Sequence, residues 1–451
     1  MTGEVVVRHC AVRVVRRGGW SWGPAPDRLV QRVLDALPGL LDARFADVLA
    51  GDTDVEITEP VTVVVPVSLA RLRAGSEPFA AREPTVPSGP RTAGPAAVVS
   101  PPAATPPVRS TVDGWPDLAA LVRSLAERGQ LDLLRELLPA PSRDVYGPVL
   151  DGSTVDSAVL AAGAVGPTPT RARSTGDVEV RSALPFLVAS ALSRVDLLDA
   201  IGPVLAGAGL LADAPLFATA LAYKVLGPLE RGWRRPPTDR TDAAAFAGLA
   251  VEVPDDALVG FARRAAPALP MLDALVGLSL CRGHEADRPL LLTEAPSRYG
   301  GGLLLVEPDG LFPIAWADDA AALQPYRAAC GHPPVFGAST DRLDELLTAM
   351  GERGAVPLAG GTAFERTVTL FAAVGLGTIA WLLWRHREPT DPHLALSRLG
   401  DLGGLVRYEP ETVRVRLPLG RRYADLREHG LLADVPDVGW LGGRTLTFGG
   451  G

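Results

Sequence analysis

The most regular alternation of apolar and polar positions runs from Val55 to Leu69, VEITEPVTVVVPVSL. Val55, Ile57, Val61, Val63, Val65, Val67 and Leu69 share one parity, with Glu59 the exception, and the other parity is mostly polar or proline. A period of two predicts a β-strand with one buried face. Pro60 and Pro66 have the same parity, so their missing N–H groups fall on one lateral edge. The segment is therefore expected at the border of a sheet, paired on one side only. Upstream, VVVRHCAVRVV at 5–15 predicts a first strand. Asp27 then offers a helix N-cap, and Val30, Val33, Leu34, Leu37, Leu41, Phe45 and Val48 recur at helical spacing, with a kink expected at Pro38–Gly39. Residues 1–75 thus read as a strand–helix–strand unit.

Residues 76–113 lose all periodicity and are dominated by Pro, Ala, Ser and Thr, the composition of an extended linker. Two leucine-rich stripes broken at Gly129 predict a helical hairpin over 114–140. Residues 140–180 read as loop-rich. Leu and Ala at helical spacing, split by Pro185, Pro203, Pro215, Pro228, Pro236 and Pro237, make 141–290 a mainly α-helical domain of short helices. Over 291–360 the pattern becomes α/β: GGLLLV and LFPIAW are strand-length runs joined by the turn Glu307-Pro308-Asp309-Gly310. Helical patterns follow at 317–329 and 340–353. Residues 361–451 hold an apolar helix and a C-terminal β unit, in which Val413, Val415, Leu417 and Leu419 alternate with Thr412, Arg414, Arg416 and Pro418. The fold class expected is α+β and multi-domain, with small terminal α/β units carrying edge strands, a largely α-helical middle and a Pro-rich linker.

Thr367–Trp384 is 18 residues without a charge, followed by Arg385, His386 and Arg387. Its length, about 27 Å as a helix, is slightly short of a bilayer core. A buried core helix is the expectation, a membrane span the alternative. Hydrophobic residues at 47 % and charged residues at 21 % describe a globular chain, and a net charge of −8 argues against a nucleic-acid binder driven by global charge. Lys224 is the only lysine, as in a GC-rich genome of actinobacterial type. Cys10, Cys281 and Cys330 form no disulfide framework, so a reducing, cytoplasmic compartment is expected, and the first residues show no secretion signal.

No catalytic constellation emerges. Cys281–His284 and Cys330–His332 could in principle hold a tetrahedral zinc ion, but the C-x-H spacing is awkward, and half-buried cysteines beside loop histidines are expected instead. His9, His386, His393 and His429 neighbour no nucleophile signature. GAGLLA at 207–212 approximates a dinucleotide fingerprint without the preceding strand it needs. Asp255–Asp256 and Asp318–Asp319 read as helix N-caps rather than acid–base pairs. The basic stretch at 230–240 and the cluster Arg414, Arg416, Arg421 and Arg422 read as solvated faces. The expectation is no catalytic, cofactor-binding or metal-binding residue and no cofactor. The alternative is an enzyme of unrecognised type with its site in 290–360.

One resemblance concerns layout. His9 in a first strand, an amphipathic helix and then VEITEPVTVVVPVSLARL resemble the opening of the tape-measure-type proteins of contractile injection systems, which are phage-tail-like particles. At the other end VGLGTIAWLLW, TVRVRLPLG and VGWLGGRTLTF resemble that family's apolar helix ending in tryptophan, alternating strand and Trp-containing final strand. The resemblance covers about 75 residues at the start and about 85 at the end, with a looser match at LPFLVASALSRVDLLDAIG. It implies a non-enzymatic structural or assembly role, with the tube and baseplate proteins of the particle as partners and neither nucleic acid nor a membrane among them. The 42 prolines and 48 glycines would chop any continuous rod. A compact assembly factor is therefore expected rather than an extended ruler.

Overall fold

Proline and glycine decide where the helices of this chain start and stop. A computed structural model of the protein describes residues 118–127, 129–151, 172–230, 234–281, 288–357, 361–384, 391–418 and 424–450. The predicted strand–helix–strand unit, the edge strand at 55–69 and the linker lie outside the described residues. Three helices come first: α1 (Leu118–Glu127), α2 (Leu131–Leu137) and α3 (Ala140–Leu150). Gly129, at φ +68°, makes the predicted break between α1 and α2. α3 corrects the loop-rich reading of 140–180. Pro141 sits harmlessly in its first turn, and Tyr146 and Leu150 are buried, but Gly147 and Pro148 obscure the periodicity. The same stretch also contains strand β1 (Gly176–Val180).

The helical middle follows as α4 (Leu184–Ser193), α5 (Leu198–Gly207), α6 (Ala214–Val225), α7 (Pro237–Phe246), α8 (Asp255–Arg264) and α9 (Leu269–Cys281). Pro185, Pro215 and Pro237 lie in first turns, where a missing N–H costs nothing. The next elements are β2 (Leu291–Glu294), β3 (Leu303–Val306), β4 (Pro313–Ala317), α10 (Gln324–Cys330), β5 (Val335–Phe336) and α11 (Asp341–Glu352). The remainder are α12 (Thr362–Trp384), α13 (Pro392–Leu399), β6 (Gly404–Tyr408), β7 (Thr412–Leu417), α14 (Ala424–Glu428), β8 (Val435–Val438) and β9 (Arg444–Gly450).

These strands form two mixed sheets, so the fold is α+β. One has the order β1-β6-β7-β9-β8 and the other β4-β3-β2-β5. In the first, β7 and β9 run parallel, and β1 pairs antiparallel with β6. Elements from the segments 141–290 and 361–451 thus share one sheet. The predicted alternation holds in β7, where Val413, Val415 and Leu417 are buried between half-exposed partners, and Pro418 follows the strand. The edge strand β8 carries Pro436, a register shift, and Asp437 at φ +51°. Such irregularity keeps that edge from recruiting another strand. In the second sheet β3 and β4 make the predicted hairpin around Glu307–Gly310.

α12 occupies the centre of the core. It packs against α4, α6, α9 and α13, and its apolar window is 89 % buried. This helix has the length and hydropathy to cross a bilayer and serves here as a core helix. It begins five residues before the predicted apolar stretch, with Phe364 buried and Glu365 in its first turn. Gly375 lets α4 approach closely: a Cβ there would lie 2.7 Å from Val188 Cγ1. Edge-to-face aromatic contacts tie α6 and α8 to α12, with Phe217 5.6 Å from Phe371 and Phe261 5.6 Å from Phe364 between ring centroids.

Candidate functional site

Strand β5 is the exposed end of the four-stranded sheet. It is only two residues long, preceded by His332-Pro333-Pro334, and it pairs in parallel with β2. Val335 N–H donates to Leu290 O at 2.9 Å and Gly337 N–H to Leu292 O at 3.0 Å. These bonds occupy one lateral side, and no described strand pairs with the other. Both side chains face water: Phe336 is 70 % exposed and Val335 48 %. Unlike β8, this edge has no proline or bulge within it to discourage pairing. Covering Phe336 is worth up to about 2 kcal/mol and the half-exposed Val335 about half of that.

The sheet behind β5 is solid. Tyr299, Leu304, Val306, Leu343 and Leu347 form a buried apolar cluster, with Leu291 and Trp316 packed against it. The turn beside the sheet is fixed by Glu307, whose carboxylate accepts from Asp309 N–H at 3.1 Å and Leu311 N–H at 2.6 Å. Burial pushes the Glu307 carboxyl up to about 7, above the ordinary range, against the pull of those two donors. Thr340 caps α11 through Leu343 N–H and also donates to Gly310 O.

Two further features lie elsewhere. The first is a cleft of about 950 Å³ where β1 and β7 end and β6 begins, facing α7. Arg181, Thr238, Asp242 and Arg416 line it. The two oxygens of Asp242 accept from Arg181 N–H at 3.1 Å and Ser182 N–H at 3.0 Å, which ties α7 to the end of β1. Burial nevertheless raises its carboxyl to about 6. The second is a buried charge cluster at the end of α6. The ammonium of Lys224, fully buried, pairs with Glu365 and donates to Met350 O at 3.1 Å. Glu365 Oε1 also accepts from Ala355 N–H at 2.8 Å and Val356 N–H at 2.9 Å, tying the 353–357 loop to α12. Burial lowers the Lys224 ammonium, and Glu365 opposes that shift. The Arg235 guanidinium stacks 3.5 Å over the Tyr223 ring beside this cluster. These contacts join helix ends and loops, as a structural ion pair does.

The residues weighed for chemistry are dispersed. Cys281 and Cys330 are buried and adjacent; His332 Nδ1 lies 3.5 Å from Pro333 O, and His284 lies outside the described residues. No group of three metal-ligating side chains occurs among the described residues. Asp255 and Asp256 are not N-caps as expected. Pro254 holds that position, and they occupy the first turn of α8, where they favour the helix dipole. Asp319 does cap a turn, accepting from Ala321 and Ala322 N–H, whereas Asp318 is surface-exposed and pairs with Arg366 at 3.4 Å. GAGLLA begins on the last residue of α5, with Gly209 at φ +70°, and a helix, not a strand, leads directly into it. Sequence reasoning missed the β5 edge. A two-residue strand carries no periodicity, and the only signal was an apolar pair between Pro334 and Gly337.

No family model matches the chain, and neither does any curated protein or solved structure.

Proposed function

We propose that this chain is a non-enzymatic structural or assembly protein of a contractile injection system, a phage-tail-like particle, acting as a tape-measure-like component or a tube assembly factor. One structural observation supports the reading most: the unprotected apolar edge at Val335–Phe336, backed by a filled core. A short, exposed and unbroken strand edge is suited to β-strand addition by another protein, with main-chain bonds giving affinity and Phe336 an anchor. The dispersal of titratable groups into caps and ion pairs is consistent with the same reading. The partners proposed are tube and baseplate proteins of the particle, with neither nucleic acid nor membrane involved, and the compartment proposed is the cytoplasm. The finer architecture belongs to this proposal as well: terminal α/β units and a Pro-rich linker flanking a helical middle.

The test is affinity capture on the tagged chain from a strain that makes such particles. Recovery of tube or baseplate proteins, lost on Phe336→Asp, is the expected result. Recovery that is unaffected by Phe336→Asp would remove the docking edge from the reading.

A further inference from the structure

Cys281 and Cys330 are far apart in the chain and adjacent in the fold. The packing of α9 on α10 brings them together. One helical turn before each cysteine, the Tyr326 ring lies directly on Gly277, so close that a Cβ there would overlap Tyr326 Cε1. Gly277 and Cys281 are four residues apart, as are Tyr326 and Cys330, so the two helices run side by side in register and end on touching thiols. Both thiols are free; Cys281 is fully buried and Cys330 is 5 % exposed. The two chain segments that leave this point pair with each other again: Leu291 of β2 is in register with Val335 of β5. Cys330 precedes Val335 by five residues, and Cys281 precedes Leu291 by ten. β5 is only two residues long, and Val335 N–H and Gly337 N–H both donate to the neighbouring strand.

We propose that Cys281 and Cys330 are a peroxide-oxidisable dithiol whose disulfide fixes strand β5 in place, an inference that rests on reading β5 as a docking edge. The co-reactant is hydrogen peroxide or an organic hydroperoxide. The Cys330 sulfur, the more accessible of the two, attacks a peroxide oxygen; the O–O bond breaks, water (or an alcohol) leaves, and Cys330 becomes a sulfenic acid. The Cys281 sulfur then attacks the sulfenic sulfur. The S–O bond breaks, a second water leaves carrying the thiol proton, and the S–S bond forms. Two thiols have lost two electrons, and one peroxide has gained them. Burial raises the Cys281 thiol and leaves Cys330 barely exposed to oxidant, so the reaction is slow and answers sustained oxidant rather than a brief pulse. Closing the ring restrains the segments entering β2 and β5 and raises the cost of detaching β5.

The experiment uses the full chain carrying Cys10→Ser, so that no third thiol competes, incubated with hydrogen peroxide under non-denaturing conditions. Peptide mapping without reductant is expected to show one cross-linked peptide joining Cys281 and Cys330, lighter by two hydrogens than the sum of its parts. Amide hydrogen exchange at Val335 and Gly337 is expected to slow several-fold, and to recover on adding a reductant. Recovery by reductant on the same chain attributes the slowed exchange to the disulfide. A chain that stays folded and forms no 281–330 cross-link overturns the proposal. So does a cross-link that leaves exchange at 335 and 337 unchanged. The exchange readout needs no particle, so failure of the docking reading is seen separately, as capture that Phe336→Asp leaves intact.

Discussion

Replacing Glu365 by glutamine isolates the charge at the buried Lys224 pair. The amide oxygen of the new side chain still reaches Ala355 and Val356 N–H, because both bonds go to the single atom Oε1 in Glu365. What disappears is the counter-charge of an ammonium with no solvent exposure, and the amide NH2 that replaces Oε2 offers it a donor in place of an acceptor. Removing one partner of a buried pair costs about 3–5 kcal/mol. Lys224 can escape part of that cost by shedding its proton, starting from an ordinary value of 10.5. At about 1.4 kcal/mol per pH unit, this escape limits the loss to about 5 kcal/mol at pH 7 and about 2 kcal/mol at pH 9. The direction follows from proton binding. A lysine depressed in the folded state binds fewer protons there than in the unfolded chain, so stability rises with pH up to about 10.5. The Glu365→Gln deficit should therefore shrink on going from pH 7 to pH 9. Lys224→Met, similar in volume and uncharged, should cost only about 1–2 kcal/mol. The double variant should lie near Lys224→Met alone, giving a coupling of about 2–4 kcal/mol. Urea unfolding at both pH values, with slopes compared between variants, measures all of these. Additive single losses, a Glu365→Gln loss below about 1 kcal/mol, or a deficit independent of pH would refute the reasoning.

Three other outcomes are expected. Gly375→Ala forces a Cβ onto Val188 at the α4–α12 contact and should cost about 1–3 kcal/mol in urea unfolding despite the better helix propensity; adding Val188→Ala should leave the double variant no worse than Val188→Ala alone. Glu307 has a folded value raised from 4.5 to about 7, so its contribution is fully present below about pH 4.5 and lost as pH rises through about 7. Glu307→Gln should flatten the stability–pH profile in that window by about 3 kcal/mol, and an unchanged profile would contradict the burial argument. Gly277→Ala drives a methyl into the Tyr326 ring and should destabilise the α9–α10 contact by about 1–3 kcal/mol, whereas a neutral effect would show that the two helices are not in register.

Much of the helical architecture was legible because its signals are local. Proline in first turns and glycine at breaks set boundaries at Pro185, Pro215, Pro237 and Gly129, and the β7 alternation named its buried residues. α3 was hidden because Gly147 and Pro148 interrupt its apolar spacing, although Pro148 falls near the end of the helix. β1 was hidden because an exposed edge strand, GDVEV, buries only its last residue fully. The candidate site was the least legible part. β5 depends on a parallel partner far upstream in the chain, and the exposure of Phe336 arises from tertiary position. The contact between Cys281 and Cys330 is likewise a product of helix packing at Gly277, and each cysteine read more naturally beside its neighbouring histidine.

The role proposed for this chain is that of a working part of a phage-tail-like particle that docks through the β5 edge. Gradient sedimentation of such particles from the producing strain tests it most directly, comparing the native chain with Phe336→Asp of equal solubility and stability. The account predicts that the native chain sediments with tube and baseplate proteins and that the Phe336→Asp chain stays in the light fractions. A native chain confined to the light fractions, at every stage of particle assembly, would contradict it.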